Sequence, residues 1–181
     1  MKKLAIAVSL AAVLGSINLA QAASTGTITF NGELTANTCD VIVDGQAADA
    51  TVVLPTVGTN QLTTAGQTAG RTNFNMALSN CSGTLTTASA FFEAGPSVDL
   101  VTGHLNNTTG SATGVALQLR DGSSASQAVI KVGDASQVQN TIYKDISSGS
   151  TTLSYEVEYY ANAPTTAGTV VSSVVYSIQY M

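Results

Sequence analysis

The sequence predicts an all-β fold, a two-sheet sandwich of immunoglobulin type, on three observations. Apolar residues recur with period 2, turn signals divide the alternating runs at short intervals, and two cysteines fit one disulfide.

Phe74, Met76 and Leu78 alternate with Asn73, Asn75 and Ala77, and Val115, Leu117 and Leu119 with Ala116, Gln118 and Arg120. Leu153, Tyr155, Val157 and Tyr159 alternate with Ser154, Glu156 and Glu158, which places the two glutamates on one face. These runs read as half-buried antiparallel strands. Asp44-Gly45, Ser82-Gly83, Ala94-Gly95-Pro96, Asp121-Gly122 and Ser148-Gly149-Ser150 read as turns between them. Asp121-Gly122 directly follows an alternating run and predicts a tight hairpin. The chain has no Trp, so the core Trp of antibody domains is missing.

The first 22 residues combine Lys2 and Lys3, an apolar run from Leu4 to Leu14, and the small-residue pattern Ala20-Gln21-Ala22, as a removed secretory signal does. Ser9, Gly15, Ser16 and Asn18 break the run before it reaches the ~20 apolar residues of a membrane span. Cleavage after Ala22 leaves 159 residues, a length suited to one domain. Four basic side chains then face 11 acidic ones, a net charge of −7. That balance argues against nucleic acid, whose phosphates need a basic footprint. It argues equally against a polybasic membrane contact.

In an oxidising compartment Cys39 and Cys81 read as a disulfide. Closing a loop of about 43 residues stabilises a fold by roughly 4 kcal/mol on the chain-entropy account. Two cysteines and the single histidine, His104, are too few for a zinc site, and no cofactor motif is present. No catalytic residue is assigned. His104 stands in Gly103-His104-Leu105 with no nucleophile motif beside it and reads as a surface side chain. Glu156 and Glu158, about 7 Å apart by strand geometry, read as a solvated outer face, since paired catalytic carboxylates converge from separate elements in a cleft. Aromatic residues are 6% of the chain, so a sugar-stacking platform would have to use Tyr or Phe, with Tyr143, Tyr159 and Tyr160 as candidates.

The two ends carry the strongest patterns. In Thr27 to Thr35, Ile28, Phe30, Gly32 and Leu34 share one side of a strictly alternating run. In Gly168 to Met181, Val170, Val174, Tyr176, Ile178 and Tyr180 share a face, Gly168 is fourteenth from the last residue and Tyr180 is penultimate. This arrangement resembles the chaperone–usher pilins, especially the type 1 fimbrial subunits. That family has a Gly at the fourteenth position from its end, alternating apolar residues after it, a penultimate Tyr, and an alternating N-terminal extension interrupted by one Gly before the first of two disulfide cysteines. The likeness covers the whole chain after residue 22 in layout, and its discriminating motifs lie at the two ends.

The resemblance implies an incomplete immunoglobulin-like sandwich, completed by a donor strand from a neighbouring subunit. Residues 23–36 would be the donor extension, with Ile28, Phe30, Gly32 and Leu34 as its inserting row, and residues 37–181 the pilin domain. Gly168, Val170, Val174, Tyr176, Ile178 and Tyr180 would form the acceptor groove and the strand that a periplasmic chaperone binds. The implied partners are identical or related pilin subunits, that chaperone and an outer-membrane usher. The implied role is a structural subunit of a fimbria on a Gram-negative surface, exported through the periplasm, with host-surface contact through the assembled fibre. A minor or adaptor pilin, or a sugar-binding subunit, is the alternative. The single domain and intact extension favour the shaft.

Overall fold

A computed structural model describes residues 26–32, 34, 36 and 38–181, and the chain divides into one unit up to Glu33 and a folded unit, Leu34–Met181. The proposed signal, residues 1–22, lies outside the described residues. Residues 26–32 form neither strand nor helix.

The folded unit contains two sheets. The larger is built from β1 (Thr38–Val43), β2 (Thr68–Ser82), β8 (Thr151–Ala161), β5 (Val115–Asp121) and β4 (Leu105–Asn106), in that order. β6 (Val129–Ile130) pairs with β5 at Leu119 and Arg120, and β4 pairs at Ala116 and Leu117. The smaller sheet has the order β7 (Lys144–Asp145), β3 (Thr87–Phe92), β9 (Tyr176–Tyr180). All pairs are antiparallel.

Period-2 alternation fixes which face each strand buries. Phe74, Met76 and Leu78 of β2 meet Tyr155, Leu153 and Thr151 of β8 in register. Their apolar side chains pack with Leu117 and Leu119 of β5 and with Ala88, Ala90 and Phe92 of β3 in one core. The Phe92 ring stands edge-on to Tyr155, with centroids 5.1 Å apart, and Phe74 closes the cluster 5.8 Å from Tyr155. Edge-to-face pairs of this kind contribute roughly 0.5–1.5 kcal/mol beyond their burial. The Tyr155 hydroxyl accepts the Ala90 amide at 2.9 Å, so the buried phenol joins the two sheets.

The disulfide joins Cys39 to Cys81, with Cα atoms 4.1 Å apart, and ties β1 to the end of β2 where the pairing register shifts. Asp44 and Gly45 both take positive φ, 46° and 71°, and turn the chain tightly after β1. Asp121-Gly122 behaves otherwise than predicted. The chain leaves β5 at Asp121 and pairs back only at Val129, and Gly122 is not among the positive-φ residues. Asp121 is buried, and its carboxylate accepts the amides of Ser123 at 2.9 Å and Ile142 at 2.7 Å. It organises a longer loop in place of a two-residue turn. A single helical turn, α1 (Gln137–Asn140), also went unseen in the alternating pattern.

The outer face of the large sheet corrects the expected solvated glutamates. Glu156 and Glu158 are 5% and 2% exposed. Glu158 pairs with Arg120 at 2.6 Å and Arg71 at 2.9 Å, while Gln127 donates to Glu156 at 2.9 Å. Arg71 and Arg120 are the only arginines in the chain, and both are spent here. His104 is buried too, against expectation: its ring lies 4.1 Å from that of Tyr160. Its Nε2 lies 2.9 Å from Gln118 Nε2, and burial holds the imidazole below its ordinary pKa.

A Glu158→Ala substitution leaves two guanidinium groups without their shared partner. Because both reach solvent, the expected loss is about 2 kcal/mol, below the range for a fully buried pair. Guanidinium chloride unfolding monitored by tyrosine fluorescence measures it.

Candidate functional site: an open groove beside β9

β9 is the edge of the small sheet, and its two sides are treated differently. Met181 exchanges both main-chain bonds with Thr87 at 2.9 Å, and Glu93 donates to Val175 at 2.8 Å. With the register Ser89↔Gln179 and Phe91↔Ser177, odd-numbered residues turn their amides and carbonyls to β3. In an antiparallel strand the alternate residues must face the other way. Among the described residues, no strand pairs with that side of β9, and the main-chain groups of Val170, Ser172, Val174, Tyr176, Ile178 and Tyr180 have no partner. The far edge of β3 is handled otherwise. There Tyr155 Oη receives the Ala90 amide, and the Gln137 side chain both accepts from and donates to Phe92 at 3.0 Å.

Beside the unpaired edge runs a groove. Two cavities of about 510 and 560 Å³ share Val171 in their walls. One wall is the segment Ala48 to Thr59, and the other is the chain from Thr165 to Tyr176. The floor is core: Phe74, Met76, Phe92, Leu117, Leu119 and Val157 in the first cavity, with Leu62, Val115 and Tyr159 in the second. Tyr176 spans the first cavity's walls, its hydroxyl donating to the Ala48 carbonyl at 2.9 Å. Burial, with the Asp49 charge nearby, raises the pKa of that phenol and keeps it a donor.

Each wall is pinned by local chemistry. Gln46 clasps Thr51 through two amide contacts of 3.0 and 3.2 Å. On the other wall Asn107 accepts the amides of Val171 at 2.8 Å and Gly110 at 3.0 Å, and donates to the carbonyls of Ala112 and Thr169. Thr108 adds its amide and hydroxyl to the Val171 carbonyl. Gly168 is required by this contact. A Cβ there would stand 2.5 Å from the Ala112 nitrogen and 2.6 Å from Ser111 Oγ.

The expected groove residues fall into two groups. Gly168, Val170, Val174 and Tyr176 line the open cavities. Ile178 and Tyr180 continue the same half-buried row and pack on the core. The whole wall Ala48 to Thr59 went unseen in the sequence, although Val52 and Leu54 alternate there and pack inward. Ser172 was also passed over: it breaks the apolar row, and its buried hydroxyl has no partner. Of the expected donor row, Ile28 and Phe30 are 78% and 89% exposed and Leu34 fully so. Beside Gly32 nothing lies within 4 Å of a Cβ position.

Residues 54–181 match the family of type-1 fimbrial proteins, FimA. The chain belongs to the type-1 fimbrial protein family. It is similar to the major fimbrial subunit SMF-1 of Stenotrophomonas maltophilia strain K279a, 44% identical over 173 residues that cover 93% of this chain and 99% of the relative. The F17 fimbrial protein of Escherichia coli is 37% identical over 179 residues, covering 93% and 96%. In fold the chain matches the P pilus rod subunit PapA at 20% identity and TM-score 0.56, over 79% of this chain and 99% of that one. A chaperone–usher pilus matches at 24% identity and TM-score 0.57, over 87% and 96%.

This fimbrial subunit is a structural protein with an incomplete immunoglobulin-like fold, not an enzyme. Its titratable residues agree with that role. Glu156 and Glu158 are held by Arg71, Arg120 and Gln127 away from the groove. The three tyrosines considered for sugar stacking are separately engaged: Tyr143 donates to Gln179 at 2.8 Å, Tyr160 packs against the tilted His104 ring and Tyr159 lines the groove.

Gly168→Ala forces the backbone at Ser111 and Ala112 away and displaces one wall of the groove. The expected result is a soluble subunit whose fibre yield falls severalfold, counted by electron microscopy of cells carrying the variant.

Proposed function

We propose that this subunit polymerises by donor-strand exchange, the segment Thr27 to Thr35 of one copy entering the groove beside β9 of the next. The observation that carries the reading is the unpaired edge of β9 beside an open stretch of core. An exposed edge with apolar groups beneath it invites a strand from another chain. Donor-strand complementation between pilins is a known instance of such β-strand addition.

The donor residues suit the groove in size and pattern. Nine residues at ~3.3 Å each extend roughly 30 Å, the length of a sandwich. Ile28, Phe30 and Leu34 are among the exposed large apolar side chains. Burying the three contributes about 5–9 kcal/mol, before main-chain pairing is counted. Gly32 brings no side chain, so the backbone can approach closely where a core residue rises into the groove.

The same groove would be held by a periplasmic chaperone before assembly and filled at an outer-membrane usher, after residues 1–22 direct export and are removed. Residues 23–36 act as the extension and 37–181 as the acceptor domain. The fibre's shaft is the favoured position for this subunit, and it supports adhesion through the assembled surface.

Replacing Gly32 with leucine puts a side chain where the donor backbone must come close. The expected outcome is loss of polymer with the subunit still folded, read by electron microscopy and circular dichroism together. Normal fibres from Gly32→Leu would sink the assignment of Gly32 to the inserting row.

A further inference from the structure

The chain contains 11 asparagines, and only Asn31 precedes a glycine. Asn31 and Gly32 are exposed, and the space around Gly32 is open. Glycine gives the following main-chain nitrogen an unhindered approach and the backbone freedom to make it. The dipeptide also lies within the segment that Proposed function assigns to the donor strand, between Phe30 and Leu34.

We propose that Asn31-Gly32 is a spontaneous deamidation site that limits the working life of the donor strand before assembly, an inference that rests on the donor-strand reading. The Gly32 nitrogen attacks Cγ of Asn31. A carbon–nitrogen bond forms, the bond from Cγ to Nδ2 breaks, and ammonia leaves with the Gly32 amide proton, closing a succinimide ring. Water then opens the ring. Hydrolysis of the new bond gives aspartate, and hydrolysis at the main-chain carbonyl gives isoaspartate, whose side-chain carbons have entered the backbone.

The two products differ in consequence. Asn31 is on the opposite side of the alternating run from Ile28, Phe30, Gly32 and Leu34, so aspartate alters only a group facing away from the groove. Isoaspartate lengthens the main chain by one carbon between Phe30 and Gly32. The residues on either side then lose their common period, and a register change carries side chains to the wrong face. Pairing in a ladder holds the Gly32 nitrogen in extended geometry away from the Asn31 side chain, so an inserted strand is protected from the reaction. Age therefore disables waiting subunits and spares assembled ones.

The test incubates purified full-length unassembled subunit and assembled fibres side by side at mildly alkaline pH. Peptide mass spectrometry with electron-based fragmentation then separates aspartate from isoaspartate at position 31. Aged subunit is next offered for assembly, with and without prior treatment by an isoaspartyl methyltransferase and S-adenosylmethionine. These esterify the isoaspartyl carboxylate so that it expels methanol, recloses to the succinimide and, over repeated cycles, reopens to aspartate. The expected result is isoaspartate in the unassembled subunit and little in fibres, with polymer yield falling in proportion to the isoaspartate fraction and recovering after repair. Asn31→Asp should assemble like the parent, and Asn31→Gln should assemble and not age. Equal isoaspartate in both samples, or aged subunit assembling as well as fresh, overturns the proposal. Fresh Phe30→Asp separates this failure from the other one: if it assembles normally, the donor reading itself has failed, whatever happens at Asn31.

Discussion

The unsatisfied outer edge of β9 governs this molecule. A strand with one side fully bonded to β3 and the other unpaired is an aggregation hazard in any soluble protein. Here it runs along an opening whose floor is formed by the core residues Phe74, Phe92, Leu117 and Val157. Backbone groups and apolar side chains are thus left incomplete along the same line, and one inserted alternating strand would satisfy both. Its amides would meet the free groups of β9, and its apolar row would fill the space over the core.

The rest of the structure holds that opening in shape. The disulfide between Cys39 and Cys81 ties β1 to β2 in the large sheet. The Asn107 clip and the close approach at Gly168 fix the wall that carries Val170 and Val171. Gln46 holds the opposite wall, and Tyr176 bridges the two through Ala48. The other edge of β3 is occupied by β7 and, beyond it, by Gln137 and Tyr155.

Period-2 reasoning located the core strands well, because Phe74, Met76, Leu78, Leu153, Tyr155 and Val157 are buried on the faces the alternation assigned. The same reasoning failed for Glu156 and Glu158. It identified their face correctly and missed that Arg71, from the irregular stretch of β2, and Arg120, from β5, cover it. Cross-strand charge pairing is a property of register, which no single strand discloses. The two arginines were the available signal, being the only ones in a chain with few charges. His104 was misplaced for a similar reason, since its cover comes from Tyr160 of a distant strand. Asp121-Gly122 looked like a hairpin until the amides of Ser123 and Ile142 were seen to converge on the carboxylate. At the groove, the terminal stripe and Gly168 were legible, whereas the Ala48 to Thr59 wall, without a regular strand, was not.

Residue-resolved amide hydrogen exchange on the subunit before and after assembly tests the central claim most directly. In the unassembled subunit the amides of Ser177, Gln179 and Met181 are already bonded to β3 and should exchange slowly, while those of Val174, Tyr176 and Ile178 should exchange fast. Assembly should slow the second set to the rates of the first, because a neighbour's strand then pairs with it. Unchanged fast exchange at Val174, Tyr176 and Ile178 in mature fibres would contradict strand addition at this edge.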